Sequence, residues 1–241
     1  MRELNKQDLA RVVTHIPRDL AAQMRGRGLF VGRGLFVGGG FIRALVAGDT
    51  PGDIDVFGGN QLVLGEQARL LTKGREGKFH ATQNAYTVLS LGRLAVQYIF
   101  RWLYTDAESL VESFDFTIVQ AAVWWDNNPQ GTGGQCWKSL CSDRFYEDVA
   151  AKRLVYTRPD REEDAGGSLL RVRKYLRRGY GILIEDYAAV IMRVFQAVEK
   201  KRSVMDTDED IEKRLLGELR EVDPLVPIDG LDMAHECHDE G

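Results

Sequence analysis

Apolar residues recur at helical spacing near the start of the chain and throughout its last third. The first such pattern covers residues 4–16 and is followed by Pro17, which cannot continue a helix. The clearest pattern, from Glu185 to Lys201, places its apolar residues on one face. Amphipathic helices are therefore predicted over residues 4–16, 62–71, 168–178, 185–201 and 208–221.

Shorter apolar runs with strand character lie between these helical patterns. Two of them, residues 84–91 and 94–102, are separated by Gly92-Arg93, which is typical of a β-hairpin. The charged stretch from Lys73 to Lys78 is predicted to be a loop. Because helical and strand patterns are mixed along the chain, we expect an α+β (mixed α/β) fold with a short mixed sheet flanked by helices.

The composition is that of an ordinary globular protein. Of 241 residues, 44% are hydrophobic and 28% are charged. No apolar run approaches the roughly 20 residues of a membrane helix, so we expect a cytoplasmic protein and no membrane partner. The three cysteines form no CxxC pair. The net charge of −4 argues weakly against a nucleic-acid partner, although local basic patches can serve that purpose.

Candidate chemistry is concentrated between Leu35 and Phe57. Asp53 and Asp55 are separated by Ile54 in a predicted strand, so both carboxylates should point to one side while Ile54 points into the core. Two carboxylates on one side repel each other unless a cation lies between them. Mg²⁺, which prefers oxygen ligands and carries substrate phosphates, is the natural cation.

A run of three glycines, Gly38 to Gly40, precedes a short predicted helix that carries Arg43. Glycines at the start of a helix let backbone N–H groups approach phosphate oxygens closely. Arg43 could neutralise phosphate charge. Together with the two carboxylates, these residues predict a metal-dependent site for a nucleoside triphosphate (NTP).

The motifs of this segment are Val37-Gly38-Gly39-x-x-x-Arg43 and Asp53-Ile54-Asp55. In this order and spacing they resemble the polymerase-β-like nucleotidyltransferase superfamily, and within it the head domain of tRNA CCA-adding enzymes and bacterial poly(A) polymerases. Ala44 stands where that class has an aspartate. The resemblance implies that Asp53 and Asp55 are catalytic and hold two Mg²⁺ ions. It also implies transfer of NMP from an NTP to an acceptor hydroxyl, with an RNA or tRNA 3′ end as the expected acceptor.

A second motif lies in the apolar block that begins at Phe114. Asp115-Phe116-Thr117 matches the same class, in which this motif lies against the nucleotide sugar. The resemblance implies nucleotide-binding roles for Asp115 and Thr117, and a catalytic role for Asp115. From the residues alone, a carboxylate entering an apolar block should meet a ribose hydroxyl, a metal or an arginine, or else cap a helix.

The third carboxylate usual in such two-metal sites is expected on the predicted strand 94–100. That strand offers Gln97, and a neutral amide is a poorer ligand for Mg²⁺. Three alternatives follow: Asp115 supplies the third charge, the metal site is weaker than usual, or catalysis is lost. A catalytically impaired nucleotide- or RNA-binding protein on the same fold is therefore the second hypothesis.

A third resemblance covers Glu163-Asp164, Arg173 and the residues between them. In the CCA-adding class an aspartate and an arginine here read the edge of the incoming base, which implies nucleotide-binding roles for Asp164 and Arg173. Gly167 stands in place of that arginine, and Arg171 could supply its charge from a shifted position. The basic residues around them fit equally well a solvated helix face or a patch for triphosphate or RNA backbone.

The resemblance covers residues 31–184, which correspond to a head and the start of a neck. We predict a nucleotidyltransferase head over 1–158, a helical neck over 159–225 and a flexible acidic tail over 226–241. Because no segment matches the body and tail that hold tRNA in that class, a protein or small-molecule acceptor stays open.

Overall fold

The computed structural model describes residues 1–26, 34–126, 136–159, 164–203 and 206–220. These form two compact units. The first consists of residues 1–114 and 119–146, and the second of residues 115–118 and the chain from Glu147 onward. The predicted division into a head over 1–158 and a neck over 159–225 stays a prediction. The predicted tail over 226–241 lies outside the described residues.

In the first unit, the described strands form one mixed sheet in the order β3-β4-β5-β2-β1-β6-β7. Strands β2 and β5 are parallel, and the other neighbouring pairs are antiparallel. The mixed sheet confirms the predicted α+β class, and the antiparallel β4–β5 pair confirms the predicted hairpin. The strands are β1 (Phe36–Gly38), β2 (Asp53–Phe57), β3 (Lys78–Ala81), β4 (Ala85–Leu89), β5 (Ala95–Ile99), β6 (Ala121–Asp126) and β7 (Cys136–Cys141).

Helices α1, α4 and α5 of the first unit begin at polar caps, supplied by Asn5, Asn60 and Asp106. Asn5 accepts a hydrogen bond from the Asp8 N–H, and Asn60 accepts two from the first turn of its helix. Pro17 stands at the break between the first two helices, as predicted. The helices are α1 (Lys6–His15), α2 (Arg18–Met24), α3 (Gly40–Ala47), α4 (Gln61–Arg75) and α5 (Ala107–Ser113).

The charged stretch predicted as a loop is mostly regular structure, so that prediction was wrong. Helix α4 continues through Arg75, and β3 begins at Lys78. The reason is that Arg75 is buried and forms a bidentate ion pair with Asp19 of α2. Only a short turn remains, with Glu76 in the left-handed conformation.

Strand β2 presents alternate residues to the two sides of the sheet in the first unit. Ile54 and Val56 are fully buried, and β1 and β5 place Val37 and Val96 beside them. The alternate positions of the strand begin with Asp53 and Asp55, which are half-buried. The predicted alternation across β2 is therefore observed. On the carboxylate side a second apolar cluster lies under α5 and includes Phe36, Phe57, Leu110 and Val111.

The second unit is mainly helical. Val190, Val194 and Val198 bury one face of its longest helix, as the periodicity predicts. Two short strands pair in parallel. Its elements are α6 (Phe145–Ala150), whose first two residues are assigned to the first unit, β8 (Arg153–Leu154), α7 (Ala165–Arg177), β9 (Gly181–Ile182), α8 (Ile184–Lys200) and α9 (Asp208–Arg220). Among the described residues, none of the helices has the length and apolar character needed to cross a membrane.

Candidate functional site

The carboxylates of Asp53 and Asp55 share one face of β2 with the glycine turn beside them. In the antiparallel pairing of β1 and β2, Gly38 lies directly opposite Asp55. An ideal Cβ atom added to Gly39 would lie 3.9 Å from the Asp55 Oδ2 atom. The backbone of the turn therefore runs close beside the carboxylate, and a larger residue would narrow that space.

The conformation of the turn requires glycine. Gly39 has φ 72° and ψ −133°, a region that residues with a Cβ atom rarely occupy. Its N–H donates to the Ala121 carbonyl, which fixes the turn against β6. Gly40 then begins α3, and an added Cβ there would touch nothing within 4 Å. Because the first N–H groups of a helix have no partner inside it, this end of α3 can accept an anion.

Arg43 lies on α3 but is almost completely buried. Its side chain is 1% exposed, and its guanidinium group pairs with the Asp49 carboxylate. Asp49 was not among the predicted site residues, although it follows Arg43 by only six positions across the end of α3. The role predicted for Arg43 in neutralising phosphate charge stays a prediction.

Gln97 occupies the position beside the two carboxylates. Strands β2 and β5 pair Asp55 with Gln97, and the Gln97 Nε2 donates to the Asp53 Oδ2 at 3.3 Å. Gln97 is paired in turn with Thr87 on β4, and Thr87 is paired with His80 on β3. Because paired residues on neighbouring strands point to the same face, a polar row extends across the sheet from Asp55.

The residues on this face fit a divalent cation that is shared with a substrate. Among the described residues, no group of three or more histidines, cysteines, aspartates or glutamates is placed to hold a metal. Mg²⁺ in nucleotide enzymes commonly takes one or two protein carboxylates and completes its shell with phosphates and water. Asp53 and Asp55, on one face next to the start of α3, provide the two carboxylates.

The second unit brings together three other predicted residues. Arg171 donates from Nη1 to the Asp115 Oδ2 at 2.7 Å and from Nη2 to the Asp164 Oδ2 at 2.8 Å. Both carboxylates are buried, with Asp115 2% and Asp164 3% exposed. Desolvation acts to lower the pKa of Arg171, but the two carboxylates outweigh it and hold the pKa above its ordinary value. Asp115 thus has the arginine partner that its burial requires.

Gly167 makes room for this arrangement. A Cβ atom at Gly167 would lie 2.0 Å from the Asp164 Oδ1, so any side chain there would displace the carboxylate. Asp164 precedes α7 with φ 62°, and its side chain makes no capping hydrogen bond to that helix. Gly167 is therefore the residue that allows Asp164 to lie against the first turn of α7, where it meets Arg171.

Thr117 is held in a separate buried network of the second unit. Its hydroxyl donates to the Asp148 Oδ2 at 2.6 Å, and Arg153 donates to the other oxygen of that carboxylate. Asp148 is fully buried and was not predicted from the sequence. No local pattern indicates it, because it lies 31 positions from Thr117.

The basic side chains of α7 divide between internal and exposed positions. Arg171 is used internally, whereas Arg173 is exposed. Lys174 and Arg178 lie over the ring of Tyr175, with their charged groups 5.9 and 5.8 Å from its centre. Arg171 is committed to two carboxylates, and the phosphate or RNA patch on this helix stays a prediction.

A family model described as "Gabija anti-defense 2 family protein" matches residues 4–152. The match covers more than half of the 241 residues. The chain belongs to this family. The matched region of this Gabija anti-defense 2 protein includes the glycine turn, both carboxylates of β2 and Gln97. No curated protein sequence matches the chain significantly.

Solved structures of CCA-adding enzymes share the fold of this Gabija anti-defense 2 protein. The Thermotoga maritima CCA-adding enzyme complexed with tRNA is 18% identical, with a TM-score of 0.52, and the alignment covers 89% of this chain and 50% of that one. A CCA-adding enzyme with ATP is 20% identical, with a TM-score of 0.56 and coverage of 91% and 50%. Another with CTP is 18% identical, with a TM-score of 0.52 and coverage of 90% and 51%.

The likeness establishes a nucleotidyltransferase-like fold. The Gabija anti-defense 2 chain spans about half the length of each of these enzymes. The resemblance inferred from the Gly-Gly and Asp-x-Asp motifs is therefore supported at the level of the fold.

Proposed function

We propose that this Gabija anti-defense 2 protein is an Mg²⁺-dependent nucleotidyltransferase that moves NMP from an NTP to an acceptor hydroxyl and releases pyrophosphate. The observation that carries the proposal is the placement of Asp53 and Asp55 on one face of β2, against the glycine turn that begins α3. In this arrangement the carboxylates that would bind the metal lie next to backbone N–H groups that can bind phosphate oxygens.

The candidate site residues of the first unit would have distinct parts in this reaction. Asp53 and Asp55 would hold Mg²⁺, which supplies charge neutralisation of the triphosphate and activation of the acceptor oxygen. Gly38 lies opposite Asp55 in the pairing of β1 and β2, and Gly39 keeps the space beside the Asp55 Oδ2 atom open. The N–H groups at the start of α3, from Gly40 onward, bind phosphate oxygens and orient the triphosphate.

Nucleotide-binding roles are also proposed for residues of the second unit, considered by itself. Asp115 and Asp164 are held in fixed orientations by Arg171, and Arg171 itself retains a 28% exposed side chain. Thr117 would act by fixing the segment that carries Asp115, since its hydroxyl is already given to Asp148. Arg173 is exposed and can meet a phosphate.

Two classes of acceptor are supported by different findings. An RNA 3′ end is supported by the shared fold with a CCA-adding enzyme that binds tRNA. A component of the Gabija defence, protein or nucleic acid, is supported by the family to which the chain belongs. In either case the acceptor offers a hydroxyl group.

The test is transfer of label from α-³²P NTPs, each of the four in turn, to total RNA or to purified Gabija components with Mg²⁺. The Asp53→Asn/Asp55→Asn double variant should lose labelling, because amides cannot replace the anionic ligands. Asp143→Asn is the matched control, since this exposed carboxylate pairs only with the chain terminus in the described structure. Labelling that persists unchanged in the double variant would contradict the proposal.

Gln97 favours a second candidate function, namely NTP binding without turnover. An amide beside Asp55 gives the site one negative charge less than a third carboxylate would. This candidate predicts saturable Mg–NTP binding in equilibrium dialysis, with unchanged NTP and no labelled acceptor after prolonged incubation. Release of pyrophosphate would exclude it.

A further inference from the structure

Gln97 lies beside the carboxylates of Asp53 and Asp55. It lies in register with Asp55 on β5 and donates from Nε2 to the Asp53 Oδ2 at 3.3 Å. Asp53, Asp55 and Gln97 are all half-buried, so water screens their charges only partly. These three described side chains therefore place an amide donor next to two carboxylates.

An amide and a carboxylate at position 97 would have opposite effects on the pair. Two carboxylates on one face repel, and a hydrogen-bond donor directed at one of them offsets part of that repulsion. A third carboxylate would add repulsion and remove the donor, so that only a cation could hold the three groups together.

We infer that Gln97 takes the place of a cation in the nucleotide-free protein, so that the site binds divalent metal together with the NTP rather than before it. This inference rests on the proposed function and concerns the order in which the same site fills. The triphosphate brings the anionic oxygens that residue 97 does not supply, and Mg²⁺ readily shares its shell between protein carboxylates and phosphates.

The test uses Mn²⁺ as the probe and needs no catalysis. Water-proton relaxation enhancement separates Mn²⁺ on the slowly tumbling protein from free Mn²⁺ and from Mn–NTP in solution. For the wild-type chain without acceptor, enhancement should be weak with Mn²⁺ alone and strong after addition of the preferred NTP. Strong saturable enhancement without nucleotide would overturn the inference.

Gln97→Glu should create a metal site in the nucleotide-free protein. Its Mn²⁺ affinity should rise by about tenfold or more, the range over which single groups around a metal act. Gln61→Glu is the matched control, because it adds the same charge at an exposed position on α4 and should leave the affinity unchanged. A folded Gln97→Glu variant with wild-type affinity would contradict the inference.

Thermal unfolding gives a second readout that is independent of relaxation. Gln97→Glu should lower Tm without metal, and Mn²⁺ should restore it, whereas wild type and Gln61→Glu should respond little to Mn²⁺ alone. A Tm of Gln97→Glu that is insensitive to Mn²⁺ would count against the inference.

The Asp53→Asn/Asp55→Asn variant distinguishes failure of this inference from failure of the proposed function. If the double variant takes up Mn–NTP as the wild type does, the metal role of the pair is wrong and the proposed function fails. If the double variant loses Mn–NTP but wild type already binds Mn²⁺ alone tightly, only the inference about Gln97 fails.

Discussion

Arg171 joins two buried carboxylates that are distant from each other in the sequence. Asp115 lies 56 positions before it and Asp164 lies seven. Both carboxylates are nearly inaccessible, so their charges depend on the guanidinium group for compensation. The predicted nucleotide-binding role of Arg171 is therefore combined with a structural one, because it fixes two other predicted site residues.

We expect Arg171→Met to destabilise the protein strongly. Removing one partner of a buried ion pair leaves the other charge uncompensated, which lowers the free energy of unfolding by about 3–5 kcal/mol. Chemical denaturation monitored by circular dichroism measures the loss. Arg18→Met, at an exposed position at the start of α2, should change the free energy by less than about 0.5 kcal/mol. Equal effects of the two substitutions would show that the ion pairs contribute nothing specific.

What could be predicted at the residue scale depends on distance along the chain. The common orientation of Asp53 and Asp55 follows from strand alternation alone. The partner of Asp115 does not follow from any local pattern, because a contact across 56 positions is determined by tertiary packing. The sequence predicts that this carboxylate has a partner. It indicates Arg171 only as a residue that could supply the positive charge missing at Gly167.

At the scale of elements, α7 and α9 approach so closely that a glycine is required between them. A Cβ atom at Gly166 would lie 2.2 Å from the Glu218 carbonyl oxygen. Backbone cannot give way as a flexible side chain can, so the two helices would have to separate. Gly166 is therefore a packing requirement of the second unit, distinct from the requirement for Gly167.

Gly166→Ala should lower the free energy of unfolding by about 1–3 kcal/mol through overpacking. Gly217→Ala is the matched control, because Gly217 lies exposed within α9 and an added Cβ meets nothing within 4 Å. The control should be stabilised by about 0.5–1 kcal/mol, since alanine is the better helix former. Urea denaturation of both variants measures the difference, and stabilisation of both would contradict the close approach.

Helices α2 and α4 are joined by an ion pair that should make stability depend on acid pH. Hydrogen bonds from Arg75 lower the pKa of Asp19, and the charge of Arg93 adds to the effect. A carboxyl whose pKa is lowered by folding stabilises the native state above its unfolded pKa and loses that contribution as pH falls. The loss should begin near pH 4 and continue below it.

Asp19→Asn tests this pH dependence. The variant should be less stable than wild type at pH 7, and the difference should shrink as pH falls below about 4. Thermal melts at a series of pH values measure it, with Asp143→Asn as an exposed carboxylate control. A difference between wild type and Asp19→Asn that stays constant down to pH 2 would refute the linkage.

Many of the elements were predictable, and one exception has a clear physical cause. Amphipathic helices such as α8 follow from periodicity. The charge of the stretch from Lys73 to Lys78 predicts an exposed loop, whereas Arg75 is buried against Asp19. Charged residues that are paired within the fold cannot be separated by composition from those in solvent.

At the scale of the whole molecule, fold and family give different kinds of information. The fold is shared with CCA-adding enzymes, and the family match names an anti-defence role. The register that places Gln97 beside Asp55 arises from the parallel pairing of β2 and β5, which residue patterns alone do not reveal. This register places the Gln97 amide where it can affect metal binding by Asp53 and Asp55.

If this chain acts against the Gabija defence by nucleotidyl transfer, the carboxylates of β2 must be needed in cells. Cells that carry the Gabija defence should lose protection when they express the wild-type chain, and keep it when they express Asp53→Asn/Asp55→Asn at the same level. Asp143→Asn should act as wild type does. Survival under a challenge that Gabija normally blocks measures the outcome, with immunoblots to match expression. Full activity of the double variant would mean that the protein acts through binding, with the transferase fold serving as a surface.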